Sequence, residues 1–393
     1  MPSSWLDDQL AAELDDLNAR SRLRQCPPVV ALRGTHLDLE DSAQLVSFSS
    51  NDYLGLSTHP ELVDSAIKAV TLRGIGAGAS RLVSGDRPEH REFESQLADF
   101  LSVPSSLLFP TGYQANIGAI TALAGQNDLI VSDALNHASL IDGCRLSKAH
   151  VAIYRHGDAS DARKALSLAT NSRGQPFRRK LLVTESVFSM DGDVAPLSAL
   201  DTACKEQGAA LIVDEAHAFG ALGPGGQGIC SLQNVIPALR IGTLGKAFGT
   251  AGGFLVGSDT VRNYVLNRAR TFIFTTGLPP SIAAASLAAL NIIRSSEGDE
   301  LRGLLSERIK QLHAGIGFKG PMTPICPLIL GPDAVALQAS AKLRELGVFV
   351  QAIRPPTVPE GTSRLRITIS ARHTSAEVDY LVGCLKSISP SPP

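Results

Sequence analysis

The chain has 393 residues, of which 44% are hydrophobic and 19% charged. That is enough apolar material for one large subunit or two to three packed domains, and it excludes an extended disordered chain. A formal net charge of −2 offers no footprint for a phosphate backbone, so nucleic acid is not an expected partner.

Leu6, Leu10, Leu14 and Leu17 recur at helical spacing, and Cys26-Pro27-Pro28 stops the helix they predict over residues 5–24. The acidic Trp5-Leu6-Asp7-Asp8 start lacks the layout of a signal peptide, and no window reaches the roughly eighteen apolar residues of a membrane span. A cytoplasmic location with no membrane contact is therefore expected. Leu45 to Phe48 reads as a strand and Asn51-Asp52-Tyr53-Leu54-Gly55 as a turn.

From about residue 60, amphipathic helices at 61–72, 88–101, 114–124 and 195–207 alternate with short apolar strands. The strands are expected at 106–109, 128–131, 151–154, 181–184, 210–213, 239–242 and 253–256. Strands separated by helical patterns imply βαβ units and a mostly parallel sheet covered on both faces. After Leu278-Pro279-Pro280 come helices at 281–294 and 299–314, strands near 325–330, 347–353 and 364–370, and a last helix at 375–386. The expected divisions are an N-terminal helix and arm (1–56), a large α/β domain (57–280) and a small α+β domain (281–393), with a disordered tail from Ser387.

Two glycine-rich segments imitate dinucleotide sites. Gly74 to Ala79 follows a helical run, and Gly223 to Gly228 sits inside a Pro/Gly loop, so neither has the strand before and helix after that the fingerprint needs. This disfavours a dehydrogenase. Gly245-Lys246 lacks the first glycine and the Ser/Thr of a P-loop, because Arg240 and Ala247 occupy those positions. The six cysteines are scattered without metal or disulfide spacing, so no metal is expected.

Three other features converge on one chemistry. Leu211-Ile212-Val213 is a buried run ending in Asp214, Glu215 and His217; one acid there could be a mere helix cap, but ligand sites in open α/β sheets lie at such strand ends. Thr243-Leu244-Gly245-Lys246-Ala247 places a lysine among small and apolar residues, where desolvation frees a nucleophilic amine. Thr111-Gly112-Tyr113 is a strand-to-helix turn whose backbone N–H groups suit a phosphate. A phosphate cradle, a carboxylate for a pyridinium nitrogen and a neutral lysine for an aldehyde are what pyridoxal 5'-phosphate requires.

With these residues in place, the chain resembles the α-oxoamine synthases, a branch of the fold type I pyridoxal-phosphate enzymes. The resemblance runs from about residue 20 to 385 and rests on Phe48 to Leu56, Gly76 to Gly85, Asn136 to Ser139, Thr184 to Gly192, Val213 to His217 and Thr243 to Gly249. It implies a seven-stranded, mostly parallel sheet in the large domain. It also implies roles: Lys246 as the cofactor lysine and Cα base, Asp214 on the pyridinium nitrogen, His217 on the phenolic oxygen, and His137 stacked on the ring. Gly112, Tyr113 and Thr243 would hold the phosphate, with Ser189 beside the cofactor. Arg366 would grip the amino acid's carboxylate bidentately, and Arg22 and Thr357 match substrate-contacting positions, the register among Arg20, Arg22 and Arg24 staying open.

Thr275 and Thr276 would reach the neighbouring subunit's phosphate in a homodimer, although Gly277 stands where the family often has a third hydroxyl. Ile353 to Pro359 and Arg364-Leu365-Arg366 resemble the branch that condenses L-alanine with a pimeloyl thioester on CoA or a carrier protein. The alternatives are glycine with acetyl-CoA, or a catalytically silent partner subunit of the same fold.

Overall fold

The computed structural model describes residues 4–40, 42–171 and 173–388. In chain order, α1 (Trp5–Ala19) precedes β1 (Val29–Arg33), β2 (His36–Leu39) and β3 (Ser42–Ser47). Then come α2 (Pro60–Arg73), α3 (Pro88–Phe100), β4 (Ser105–Phe109), α4 (Gly112–Leu123), β5 (Asp128–Asp133), α5 (Ala138–Ser147), β6 (His150–Tyr154) and α6 (Ala159–Leu166). They lead to β7 (Arg179–Glu185), α7 (Leu197–Gln207), β8 (Ala210–Asp214), α8 (Gly228–Leu232), β9 (Leu239–Thr243) and β10 (Gly253–Gly257). The remainder is α9 (Asp259–Arg268), α10 (Arg270–Ile273), α11 (Pro280–Ile293), α12 (Ser296–Ile316), β11 (Ile325–Gly331), α13 (Asp333–Glu345), β12 (Val348–Phe349), β13 (Ala352–Ile353), β14 (Ser363–Thr368) and α14 (Ser375–Ile388).

All seven strands expected of the large sheet are present, in the order β4-β10-β9-β8-β7-β5-β6. β5 to β9 pair in parallel, while β10 runs antiparallel to both β4 and β9. Strands β5 and β7 to β10 are buried almost throughout because helices cover both faces. Ile130, Val183, Ile212, Ile241 and Leu255 pack with Ala115, Ala119 and Ile120 of α4 in one core. β6 is an edge strand and stays largely exposed. The carboxyl ends of four parallel strands carry polar residues: Asp133 on β5, Glu185 on β7, Asp214 on β8 and Thr243 on β9.

The chain forms two compact units. Residues 51–189 and 193–305 make the larger; residues 1–50, 190–192 and 306–393 make the smaller. The larger unit thus extends past the expected divide at 280, because α11 packs against α2 and α3. In the smaller unit the N-terminal arm joins C-terminal elements through the sheet β1-β2-β3-β12, where Val46 pairs in parallel with Val348. A second sheet, β11-β14-β13, completes that unit. Strands β1 and β2 escape the sequence reading because they are short and only partly buried, and the single strand expected at 347–353 is broken into β12 and β13. The tail expected to be disordered lies, beyond Ile388, outside the described residues.

Candidate active site

A cavity of about 170 Å³ opens at the carboxyl edge of the large sheet, lined by Gly112, Tyr113, Asn116, His137, Ser139, Glu185, Asp214, Thr243 and Lys246 among others. Local chemistry brings each element there. Thr111 caps α4 by accepting from the Gln114 N–H at 3.1 Å, so the helix N-terminus begins at Gly112. Gly253 of β10 lies against it so tightly that a Cβ on Gly253 would fall 2.5 Å from the Gly112 Cα. A Cβ on Gly112 would come within 3.1 Å of the Thr243 Cβ. Two glycines therefore keep open the space between a helix N-terminus and the β9 threonine, a cradle for an anion.

Lys246 sits on the loop between β9 and β10. Its Nζ lies 2.8 Å from His217 Nε2, and Tyr53 Oη lies 2.6 Å from the other ring nitrogen. Gly249 shapes this loop: its φ is +68°, and an added Cβ would lie 2.6 Å from the Leu56 carbonyl carbon. The backbone that follows the turn read at 51–55 thus packs against the lysine loop.

Asp214, buried at the end of β8, accepts from the Asn116 side-chain N–H at 2.7 Å and the Ala216 N–H at 2.8 Å. Asn116 also donates to Ser139 Oγ at 2.8 Å, and Ser139 Oγ reaches His137 Nδ1 at 2.8 Å. The Ser139 N–H points at the same nitrogen, 3.2 Å away. With Nδ1 accepting, His137 carries its proton on Nε2. Burial pushes the His137 imidazolium below its ordinary value, Lys246 adds to this and Asp214 opposes it. The Tyr113 ring meets His137 edge-on at 6.3 Å, its hydroxyl bonded to Asp142. Glu185 accepts the His137 backbone N–H at 2.6 Å; burial first, and Asp214 second, raise its carboxyl well above the usual range.

The cavity therefore gathers Gly112, Tyr113, His137, Asp214, Thr243 and Lys246, with His217 held against the lysine. Ser189 lies on the turn after β7, which His156 anchors by bonding Asp133 and Asp193, each at 2.8 Å. Thr276 bridges Ser80, and the Gly277 N–H donates to the Ala79 carbonyl at 2.9 Å. A Cβ at Gly277 would press on Arg81, Gly85 and Ala77 at 3.2–3.3 Å, which accounts for glycine where a hydroxyl residue is common in the family. Neither threonine lines the cavity of its own chain.

Arg22, Thr357 and Arg366 belong to the smaller unit. Arg22 is bound to Asp333 at 2.9 Å and Glu360 at 2.5 Å, whereas Arg24 lines a small cavity of about 150 Å³ with Arg354 and Thr357. Arg366 is buried on β14, opposite Pro327. Tyr53, Asn116, Ser139, Glu185 and His156 are site residues that sequence reasoning missed. Volume alone does not mark the site, since a groove of about 570 Å³ beside α2 and α11, lined by Glu61, Lys68, Leu72 and Leu287, holds none of this chemistry.

Residues 43–385 match the family of class I and II aminotransferases. An 8-amino-7-oxononanoate synthase of Marinobacter nauticus is 47% identical over 356 residues, covering 88% of this chain and 87% of that protein. One from Saccharophagus degradans is 41% identical and covers 98% and 97%. The chain belongs to the 8-amino-7-oxononanoate synthase family. Among solved structures, a serine palmitoyltransferase variant from S. paucimobilis superposes with a TM-score of 0.89 at 30% identity, covering 98% of both chains. An 8-amino-7-oxononanoate synthase from Francisella tularensis gives 0.74 at 27% identity over 88% of this chain and 96% of that one.

The fold is thus that of the fold type I transferases, and the family's cofactor is pyridoxal 5'-phosphate. The residues fit it. A glycine-lined helix N-terminus suits the phosphate, and a buried carboxylate suits a pyridinium. Asn116 Oδ1, buried in the cavity wall without a hydrogen-bond partner, leaves an acceptor for a bound group.

Proposed function

We propose that the chain condenses L-alanine with a pimeloyl thioester of CoA or a carrier protein, forming 8-amino-7-oxononanoate and releasing CO2 and the thiol. The observation that carries this reading is the convergence of Lys246, His217, Asp214 and His137 on one cavity edge in a chain of this family. When bound, pyridoxal phosphate supplies a covalent handle and an electron sink that make the Cα proton of an amino acid removable.

The chain's own residues do the rest. Gly112, Tyr113 and Thr243 hold the phosphate, and Ser189 lies beside the cofactor. The Asp214 carboxylate keeps a proton on the pyridinium nitrogen, and His217 orients the phenolic oxygen. Lys246 Nζ takes the alanine Cα proton and later returns one. His137 covers the ring face, and its Nε2–H donates to the oxygen on which charge builds during acyl transfer and loss of CO2. Arg366 binds the alanine carboxylate; Arg22 and Thr357 contact the acyl substrate, with Arg24 as the other candidate because it shares a cavity with Thr357.

The working form is read as a cytoplasmic homodimer in which Thr275 and Thr276 serve the partner's phosphate. The exposed apolar Ile75, Val83 and Phe274 near those threonines support a covered surface there. No helix among the described residues is long and apolar enough to cross a membrane.

Thiol release assayed over alanine and glycine, each with pimeloyl-CoA and acetyl-CoA, tests the assignment. Turnover is expected with alanine and pimeloyl-CoA; preference for glycine with acetyl-CoA would overturn it. Lys246→Ala should lose the cofactor's visible absorbance and at least about 10³-fold in rate.

A further inference from the structure

Tyr53, on the turn read at 51–55, is fully buried and has no part in the mechanism above. Its Oη lies 2.6 Å from His217 Nδ1 and donates to Asn51 Oδ1 at 3.2 Å. A phenol carries one proton. If it goes to Asn51, which can only accept at Oδ1, the short contact to His217 must be made by Nδ1–H donating to Oη. Nε2 is then a bare lone pair facing the Lys246 amine 2.8 Å away, where a lysine, which has only donors when charged, requires an acceptor. While the amine is charged, the opposite tautomer would set N–H against N–H at that contact. It becomes the better one when Nε2 must donate to an oxygen, and the phenol can turn its proton to Nδ1 to allow this.

We propose that Tyr53 is a positioning residue that sets the tautomer of His217, accepting from Nδ1–H while Nε2 faces Lys246 and donating to Nδ1 when Nε2 donates to the cofactor's phenolic oxygen. The inference rests on the reading of Lys246 as the cofactor lysine. The charged or titratable groups that line the neighbouring cavity are Tyr113, His137, Glu185, Asp214 and Lys246 itself.

The test is 15N NMR of histidine-labelled protein, with and without pyridoxal phosphate, in wild type, Tyr53→Phe and Asn51→Leu. In the apoprotein, wild-type His217 is expected as the Nδ1–H tautomer, and loading should convert it to Nε2–H. Tyr53→Phe should give a mixture of tautomers in the apoprotein and retain the cofactor roughly tenfold less tightly, the loss of about one hydrogen bond. Asn51→Leu, which removes the acceptor but keeps the phenol, should move the apoprotein toward Nε2–H, and it serves if the phenylalanine variant does not fold. Tautomers unchanged in both variants would overturn the proposal while leaving the reading of Lys246 intact. A wild-type protein that takes up no cofactor on Lys246 would instead remove that reading.

Discussion

Asp214 and His137 line one cavity, and they share a support. Asn116 donates to the Asp214 carboxylate and to Ser139, which in turn holds His137. Asn116→Ala removes both donations at once and leaves Asp214 with the Ala216 N–H. We expect a stability loss of about 1–3 kcal/mol and cofactor affinity reduced about tenfold, measured by thermal melting and equilibrium dialysis. No pattern in the sequence announces Asn116. It reads as a polar residue on the first turn of an Ala-rich helix, and only the packing of α4 on α5 brings it to Ser139. Lys246 and Asp214 were legible because a charge beside a buried apolar run is conspicuous in one dimension. Their helpers are conspicuous only in three.

His156 gives the residue scale a pH signature. Hydrogen bonds donated to Asp133 and Asp193 raise its pKa to about 10, burial opposing. Between the ordinary imidazole value near 6.5 and that one, the folded protein keeps a proton that the unfolded chain has lost. Stability from this group is complete below about pH 6.5 and drains away as pH rises toward 10. His156→Asn should therefore lower the melting temperature at pH 7 and flatten its decline between pH 7 and 10. His90, His137 and His373 have the opposite sign, since burial lowers their values. Melting temperature should fall below about pH 6.5 in wild type and variant alike.

At the scale of elements, the hairpin β9–β10 carries the site. Sequence periodicity located both strands but not their direction, because alternation of side chains is the same in parallel and antiparallel pairs. The antiparallel β10 is what returns the chain past Gly112 and ties both ends of the lysine loop to one sheet. Gly249→Ala would force a Cβ into the 56–57 backbone at a positive φ, so we expect about 1–3 kcal/mol of destabilisation together with loss of cofactor retention, read by melting and by absorbance. β9 also holds the buried pair Arg240–Glu215, and Glu215 accepts from the Cys230 N–H as well. Arg240→Met would strand that carboxylate, at a cost of about 3–5 kcal/mol in chemical denaturation, whereas changes on the exposed face of α9 should cost little.

Over the whole molecule, the composition and the βαβ alternation were enough to place the chain among doubly covered α/β proteins. The grouping of its ends was not, since β1, β2 and β12 are short and carry little apolar signal. If the proposed dimer completes the site, sedimentation velocity should give twice the mass of the 41.4 kDa chain. The double variant Thr275→Ala, Thr276→Ala should keep that mass while losing cofactor about tenfold more readily. A monomer with full activity would remove the threonines from the site.

The pairing of Val46 with Val348 joins positions about 300 residues apart, and it imposes an order of events during synthesis. The larger unit is fully encoded once the ribosome has passed Leu305. Residues 1–50 emerge before the larger unit but must wait for the later elements to be made before β3 finds β12. A nascent chain arrested near residue 330 should therefore already protect the sheet around Lys246 from protease while the N-terminal arm is still cut.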